Sequence, residues 1–338
     1  MRMVKKYGLC VLLVISMVTS LCGCQTKRKA EKKSENSSLT QLTMVLDQSP
    51  NTNHTGIYVA QQLGYFEDVG LEVEIVLPPD EGTTDVVASG TAEFGIDTQE
   101  DLAEGFSADN PVTATAVAAI LQHNLQGIIS TKDKGIDSFK KIEDHSFATN
   151  DTLMEQTILR VAMEGEGGDF GRVHLLSSFV DNAVDALHTD IDCAWIYYGW
   201  EGIRCQLAGM VTNFVPFAST NEAFDYYSPV IIGNNKFLSE QPDTSRAFLS
   251  AVKKGYQYAI DHPKKAAEIL CDNAPELDAQ LVEKSQQYLK DKYIADAAQF
   301  GVFDSDRWNT FYNWLWQNKI IPREIPENTG FTNEYIMD

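Results

Sequence analysis

Cysteine is scarce in this sequence, and nothing pairs it. There are six in 338 residues, and the last three, Cys193, Cys205 and Cys271, form an odd set with no paired spacing, which argues against a disulfide scaffold. Cys193 sits in the apolar run IDCAWIYYG and reads as a buried, inert thiol. The six histidines (His54, His123, His145, His174, His188 and His262) show no HExxH or similar metal spacing, and Gly-x-Ser-x-Gly, Walker A and GxGxxG motifs are absent. The glycine-rich turn Glu164-Gly165-Glu166-Gly167-Gly168 lacks the Lys-Ser/Thr pair of a phosphate cradle. No metal site, cofactor or catalytic residue is therefore expected. Basic charge is also short. Lys and Arg number 27 against 48 Asp and Glu, for a net charge of -21, a balance that excludes nucleic acid as partner and favours solubility. The apolar stretch Tyr7 to Leu21 falls below the roughly 20 residues that span a bilayer.

That stretch reads instead as a targeting segment. Arg2, Lys5 and Lys6 form a basic region before it, and Leu21-Cys22-Gly23-Cys24 fits the bacterial lipobox, whose cysteine becomes the lipidated first residue. Residues 1–23 are a signal peptide on this reading, and acylated Cys24 anchors the chain to the lipid bilayer of the bacterial cell membrane, on its extracytoplasmic side. Loss of the signal takes the net charge to about -24. Residues 24–40 form a tether; QTKRKAEKKSENSS carries no large apolar side chain and has nothing to bury.

Beyond the tether, 43% hydrophobic content suffices for a core, and the length suits two lobes. Strand and helix patterns alternate as in a mostly parallel α/β protein. Thr43 to Leu46 is a short apolar strand, Ser49 to Asn53 a turn, and His54 to Leu63 a helix closed by Gly64. Leu71, Val73 and Ile75 alternate with Glu72 and Glu74 as in a half-buried strand. Further strands are expected at Glu93–Ile96, Val112–Ile120, Gly127–Ser130, Phe147–Thr149, Val173–Leu176 and Ile191–Ile196. The intervening helices are Asp85–Ser89, Gln99–Phe106, Leu153–Met163 and Asn182–Leu187. After Pro229-Val230-Ile231-Ile232 the texture changes to long amphipathic helices, such as Arg246–Ile260 and Arg307–Trp316.

Candidate ligand contacts follow from where strands end. Trp195, Tyr197, Tyr198, Trp200 and Glu201 close an apolar strand with aromatic faces and a carboxylate, which suits a flat heteroaromatic molecule. For Trp195, core and cleft are equal readings. Tyr226 stands next to a second crossing of the chain, where a ring can close over a ligand or simply pack. Asp47, Asn51 and His54 lie at the first sheet edge; turn and cap chemistry is the competing reading for the asparagine. Asp97, Gln99, Asn124 and Asn150 follow predicted strands, and the first three join the candidate set.

LDQSPNTNHTGIYVA, followed by GYFEDVGLEVEIV, and later DYYSPVIIGNN and FTNEYI, resemble the solute-binding lipoproteins for thiamine-pyrimidine precursors. The resemblance implies a type II periplasmic-binding-protein fold, with residues 41–124 and 231–338 as lobe one, 125–230 as lobe two and a double-crossover hinge. It also implies an extracytoplasmic receptor that presents a small aromatic heterocycle to an ABC permease, with Trp200 and Glu201 as aromatic and acidic ligand contacts. Many relatives carry Trp where this chain has Gln48, so one aromatic wall differs, and riboflavin-type or other heterocycles stay open as ligands. The yeast-type pyrimidine synthase shares the fold but depends on a cysteine-rich motif, which is missing here; no enzyme activity is expected.

Overall fold

The computed structural model describes residues 39–80, 82–178 and 180–337. The expected signal peptide, the expected lipidation site Cys24 and the expected tether as far as residue 38 lie outside the described residues. The chain forms two five-stranded sheets. In the first, β2 (Leu71–Val76), β1 (Thr40–Val45), β3 (Phe94–Asp97), β10 (Val230–Asn234) and β4 (Ala114–Ala119) lie side by side in that order. In the second the order is β7 (His174–Ser177), β6 (Ser146–Thr149), β8 (Cys193–Tyr197), β5 (Gln126–Thr131) and β9 (Thr212–Pro216).

Both sheets obey one rule. Three parallel strands are followed by a strand that has just arrived from the other lobe and inserts antiparallel. β10 runs antiparallel to β3 and β4, and β5 antiparallel to β8 and β9. The chain therefore changes sheets twice, between β4 and β5 and between β9 and β10. This is the two-lobe, double-crossover architecture that the sequence resemblance implies.

Alternation along each strand explains how both faces of sheet one are covered. Leu42, Met44 and Leu46 enter one core with Ile57, Phe66 and Phe248, whereas Val45 enters another with Val87, Leu102 and Phe311. Successive side chains on a strand point to opposite faces, so β1 feeds both. The long helix Pro242–Asp261 covers the first of these faces; its Phe248 stacks on Phe94 at 4.0 Å and on Phe66 at 5.5 Å. That helix crosses Thr55–Gln62 closely because both supply glycine, Gly56 and Gly255, where a Cβ on Gly255 would overlap the Gly56 carbonyl oxygen.

The second core runs from lobe one through the crossings into lobe two. Phe217, Phe224 and Tyr226 bridge it, with Tyr226 stacked on Phe311 at 4.1 Å and Phe224 set edge-on to Trp314 at 4.9 Å. Both partners come from the C-terminal helix Ser305–Gln317. Its aromatic stripe thus packs on the second crossing.

Candidate functional site

In open α/β sheets ligands bind beyond the carboxyl ends of the parallel strands. Here β1 ends just before Asp47, β3 ends at Asp97, and Thr98 caps the helix Gln99–Ser107 by accepting the Asp101 N–H. On the second sheet β8 ends at Tyr197. Between these edges stand the two crossings, with Gln126 opening β5 and Ser228 preceding β10.

One hydrogen-bond network joins all four. The Glu100 Oε1 atom accepts from Gln126 Nε2 at 2.7 Å and from Ser228 Oγ at 3.0 Å, and the Tyr197 hydroxyl lies 3.5 Å away. Gln126 Nε2 also reaches the Tyr197 oxygen at 3.0 Å, while Trp195 Nε1 donates to Gln126 Oε1 at 2.5 Å. An indole N–H can only donate, so it fixes which end of the Gln126 amide faces Glu100. The other oxygen, Glu100 Oε2, is buried and has no hydrogen-bond partner among the described residues.

Carboxyl groups crowd this edge. Burial, with the Asp101 charge next in importance, pushes Glu100 up to about 8, opposed first by its own backbone N–H and then by the donors from Gln126 and Ser228. Burial likewise raises Asp97 to about 7, again with Asp101 and more weakly Asp47 adding to it. Bonds to Asp97 from the Thr84 hydroxyl and from the Thr98 N–H at 2.8 Å pull the other way and lose. Asp101 is raised by burial too. Removing a charge from water costs more here than these few donors return. Tyr197 and Tyr226 are held well above the ordinary phenol range, first by burial and then by the Glu100 charge.

Residues 51–266 match the profile described as NMT1/THI5 like. The chain belongs to the NMT1/THI5-like family. Among its relatives is the formylaminopyrimidine-binding protein of Halalkalibacterium halodurans, 27% identical with 96% of this chain and 98% of that protein covered. Another is the 4-amino-5-hydroxymethyl-2-methylpyrimidine phosphate synthase THI11 of Saccharomyces cerevisiae, 24% identical with 88% of each chain covered. The periplasmic aliphatic sulphonate binding protein SsuA from Escherichia coli superposes with a TM-score of 0.68 at 12% identity, covering 89% of this chain and all of that one. The fold is the type II periplasmic-binding-protein fold.

Of the residues expected at the site, Trp195 and Tyr197 belong to this network, with Trp195 also tilted against Phe217 at 4.0 Å, and Asp97 ends β3 directly before the cap of the helix that carries Glu100. Asp47 lies beside them, its Oδ1 atom 2.7 Å from His54 Nε2. The Asn51 N–H donates to His54 Nδ1, leaving Nε2 as the protonated nitrogen that donates to Asp47. His54 is fully buried, and Asn51 caps the turn after β1. Both therefore position Asp47.

Gln99 and Asn124 spend their polar atoms on the fold. Gln99 exchanges bonds with Tyr227 and donates to the Trp308 carbonyl, while Asn124 donates to Phe224 O and accepts from the Gln126 N–H. Tyr226 is buried in the aromatic packing described above.

The π-helical turn Tyr198–Gly202 after β8 docks on the lobe-one helix Ala279–Leu289: Ser285 Oγ donates to the Gly199 carbonyl, and Tyr198 packs against Tyr288 at 5.4 Å. Trp200 sits half-buried under the Arg204 guanidinium. Glu201 accepts from the Ala183 N–H at 2.8 Å and from Arg204 Nε at 3.0 Å, and burial raises its carboxyl. Gln48 is exposed. Glu100, Gln126 and Ser228 escaped the sequence reading; in QEDLAEG the first of them looks like an ordinary acidic residue in a helix's first turn, where the dipole favours it.

Thiol chemistry has little footing in this family member. Burial pushes Cys193 far up, Cys205 to about 11 and Cys271 up as well. Among the described residues, no group of three or more His, Cys, Asp and Glu is arranged to hold a metal ion, and no helix is long and apolar enough to cross a membrane.

Proposed function

We propose that this protein is an extracytoplasmic solute receptor, anchored through acylated Cys24, that closes its two lobes on a small aromatic heterocycle of the thiamine-pyrimidine class and delivers it to an ABC permease. One observation carries the reading. The Glu100, Gln126, Ser228 and Tyr197 network ties a helix of lobe one, both crossings and a strand of lobe two into a single polar cluster. A ligand touching that cluster contacts both lobes at once, which supplies the differential affinity that closure requires. The formylaminopyrimidine-binding relative from Halalkalibacterium supports the pyrimidine class. Asp97, Trp195 and Tyr197 are the proposed direct contacts, with Trp200 and Glu201 kept on the family resemblance; Asp47, Asn51, His54, Gln99, Asn124, Tyr198 and Tyr226 shape the walls.

Thermal unfolding with hydroxymethylpyrimidine, formylaminopyrimidine, thiamine and riboflavin tests the proposal. At a hundredfold excess over Kd a ligand stabilises by about 2.7 kcal/mol, or a midpoint rise of about 5–10 °C at roughly 2–4 °C per kcal/mol. A rise with any pyrimidine supports the reading; no rise with any of the four refutes it. The relatives named as synthases favour one competing reading, a pyrimidine-forming enzyme. It requires product from the purified protein, where a receptor returns the ligand unchanged.

A further inference from the structure

We propose that Glu100 selects the ligand by donating a hydrogen bond from Oε2 to an unprotonated ring nitrogen, so that the receptor prefers basic N-heterocycles such as aminopyrimidines to carbocyclic rings of the same shape. This rests on the heterocycle-receptor reading above and names the atom that does the discriminating.

The argument starts from the two unlike oxygens of one carboxyl. Oε1 faces donors. The Gln126 amide is held by the Trp195 indole so that its N–H must point at Oε1, and the Ser228 hydroxyl approaches the same atom. An oxygen that already accepts two hydrogen bonds is the wrong place for the acid proton. A neutral Glu100 therefore carries its proton on Oε2, and the burial that lifts this carboxyl to about 8 keeps it neutral near pH 7. Oε2 is buried and meets no acceptor among the described residues. A buried O–H without an acceptor is costly, and native structures rarely keep one without a reason.

The surroundings say what kind of acceptor fits. The Tyr197 hydroxyl lies 3.5 Å from Glu100 Oε1, and Trp195 is one hydrogen bond away through Gln126. The Trp195 and Tyr197 rings beside this buried O–H suit a flat ring with an in-plane lone pair. A ring nitrogen of pyrimidine type supplies that lone pair; a ring C–H does not.

Titration calorimetry would compare 4-amino-5-hydroxymethyl-2-methylpyrimidine with 2-amino-4-methylbenzyl alcohol, its isostere with C–H in place of both ring nitrogens. Wild-type protein is expected to prefer the pyrimidine by about tenfold or more, since a site built to hydrogen-bond rejects the analogue lacking the group. In Glu100→Ala the preference should shrink markedly, and in Glu100→Gln, whose amide N–H stands where Oε2–H stood, most of it should return. The wild-type ratio reads the proposal even if a variant fails to fold. Equal affinity of wild-type protein for both compounds, or an unchanged ratio in folded Glu100→Ala, overturns the role of Glu100 while leaving the receptor intact. Binding of neither compound nor any heterocycle by the wild type overturns both.

Discussion

Replacing Asp97 by Asn should make the protein more stable above neutral pH and leave it nearly unchanged in mild acid. Asp97 ends β3 in a buried position, and its carboxyl is raised from the ordinary 3.8 to about 7. Between those two pH values the native state holds a proton that the unfolded chain has released, so stability falls as pH rises through this window and levels off above about 7. The full step corresponds to roughly 4 kcal/mol, an upper bound because water and structural relaxation soften it. Asparagine fits the same bonds: its Oδ1 atom still accepts the Thr98 N–H, and the Thr84 hydroxyl can turn to accept from Nδ2. Urea unfolding from pH 5 to pH 8 is the assay. Wild-type stability should decline across that range, with Glu100 contributing in the same direction, and Asp97→Asn should have a visibly shallower decline and exceed the wild type at pH 8 by about 1–3 kcal/mol. Asp192, whose carboxyl is lowered by Lys134 and the Ser146 N–H, acts only in stronger acid. Wild-type stability that is flat or rises towards pH 8, or a variant with an undiminished slope, would refute the view that burial dominates this edge.

Gly255→Ala should destabilise by about 1–3 kcal/mol or more, read as a lower urea midpoint, because the added Cβ meets the Gly56 backbone carbonyl and not a side chain that can move aside; an unchanged midpoint would show that the two helices are free to separate. His123 bridges the crossings, 2.7 Å from Asp225 and 2.9 Å from Asp296, and these carboxylates raise its titration above the ordinary imidazole value. An NMR titration should find it there, and Asp225→Asn should bring it down; a midpoint indifferent to that substitution would remove the bridge.

The sequence by itself determined most of the elements. Alternation of Leu71, Val73 and Ile75 with Glu72 and Glu74 placed β2, an edge strand with one face in water, whereas β1 and the central strands showed as short apolar runs, because strands covered on both faces carry apolar residues at nearly every position. Gly64 takes the left-handed backbone at the end of the first helix, as its place in the sequence suggests, and Trp308, Phe311, Tyr312 and Leu315 are all buried on the C-terminal helix. β9 went unseen because Thr212–Pro216 is short, only partly buried and closed by proline.

Only the tertiary structure decided the site. Glu100 lies 26 residues from Gln126 and 128 from Ser228, and no local pattern marks three ordinary polar residues as neighbours. The same holds for the buried roles of His54, Gln99 and Asn124, which share their residue types with surface turns. Periodicity is a property of adjacent residues and survives in the sequence; a carboxyl's proton depends on burial and on charges brought close by two chain crossings, and exists only once the lobes have assembled.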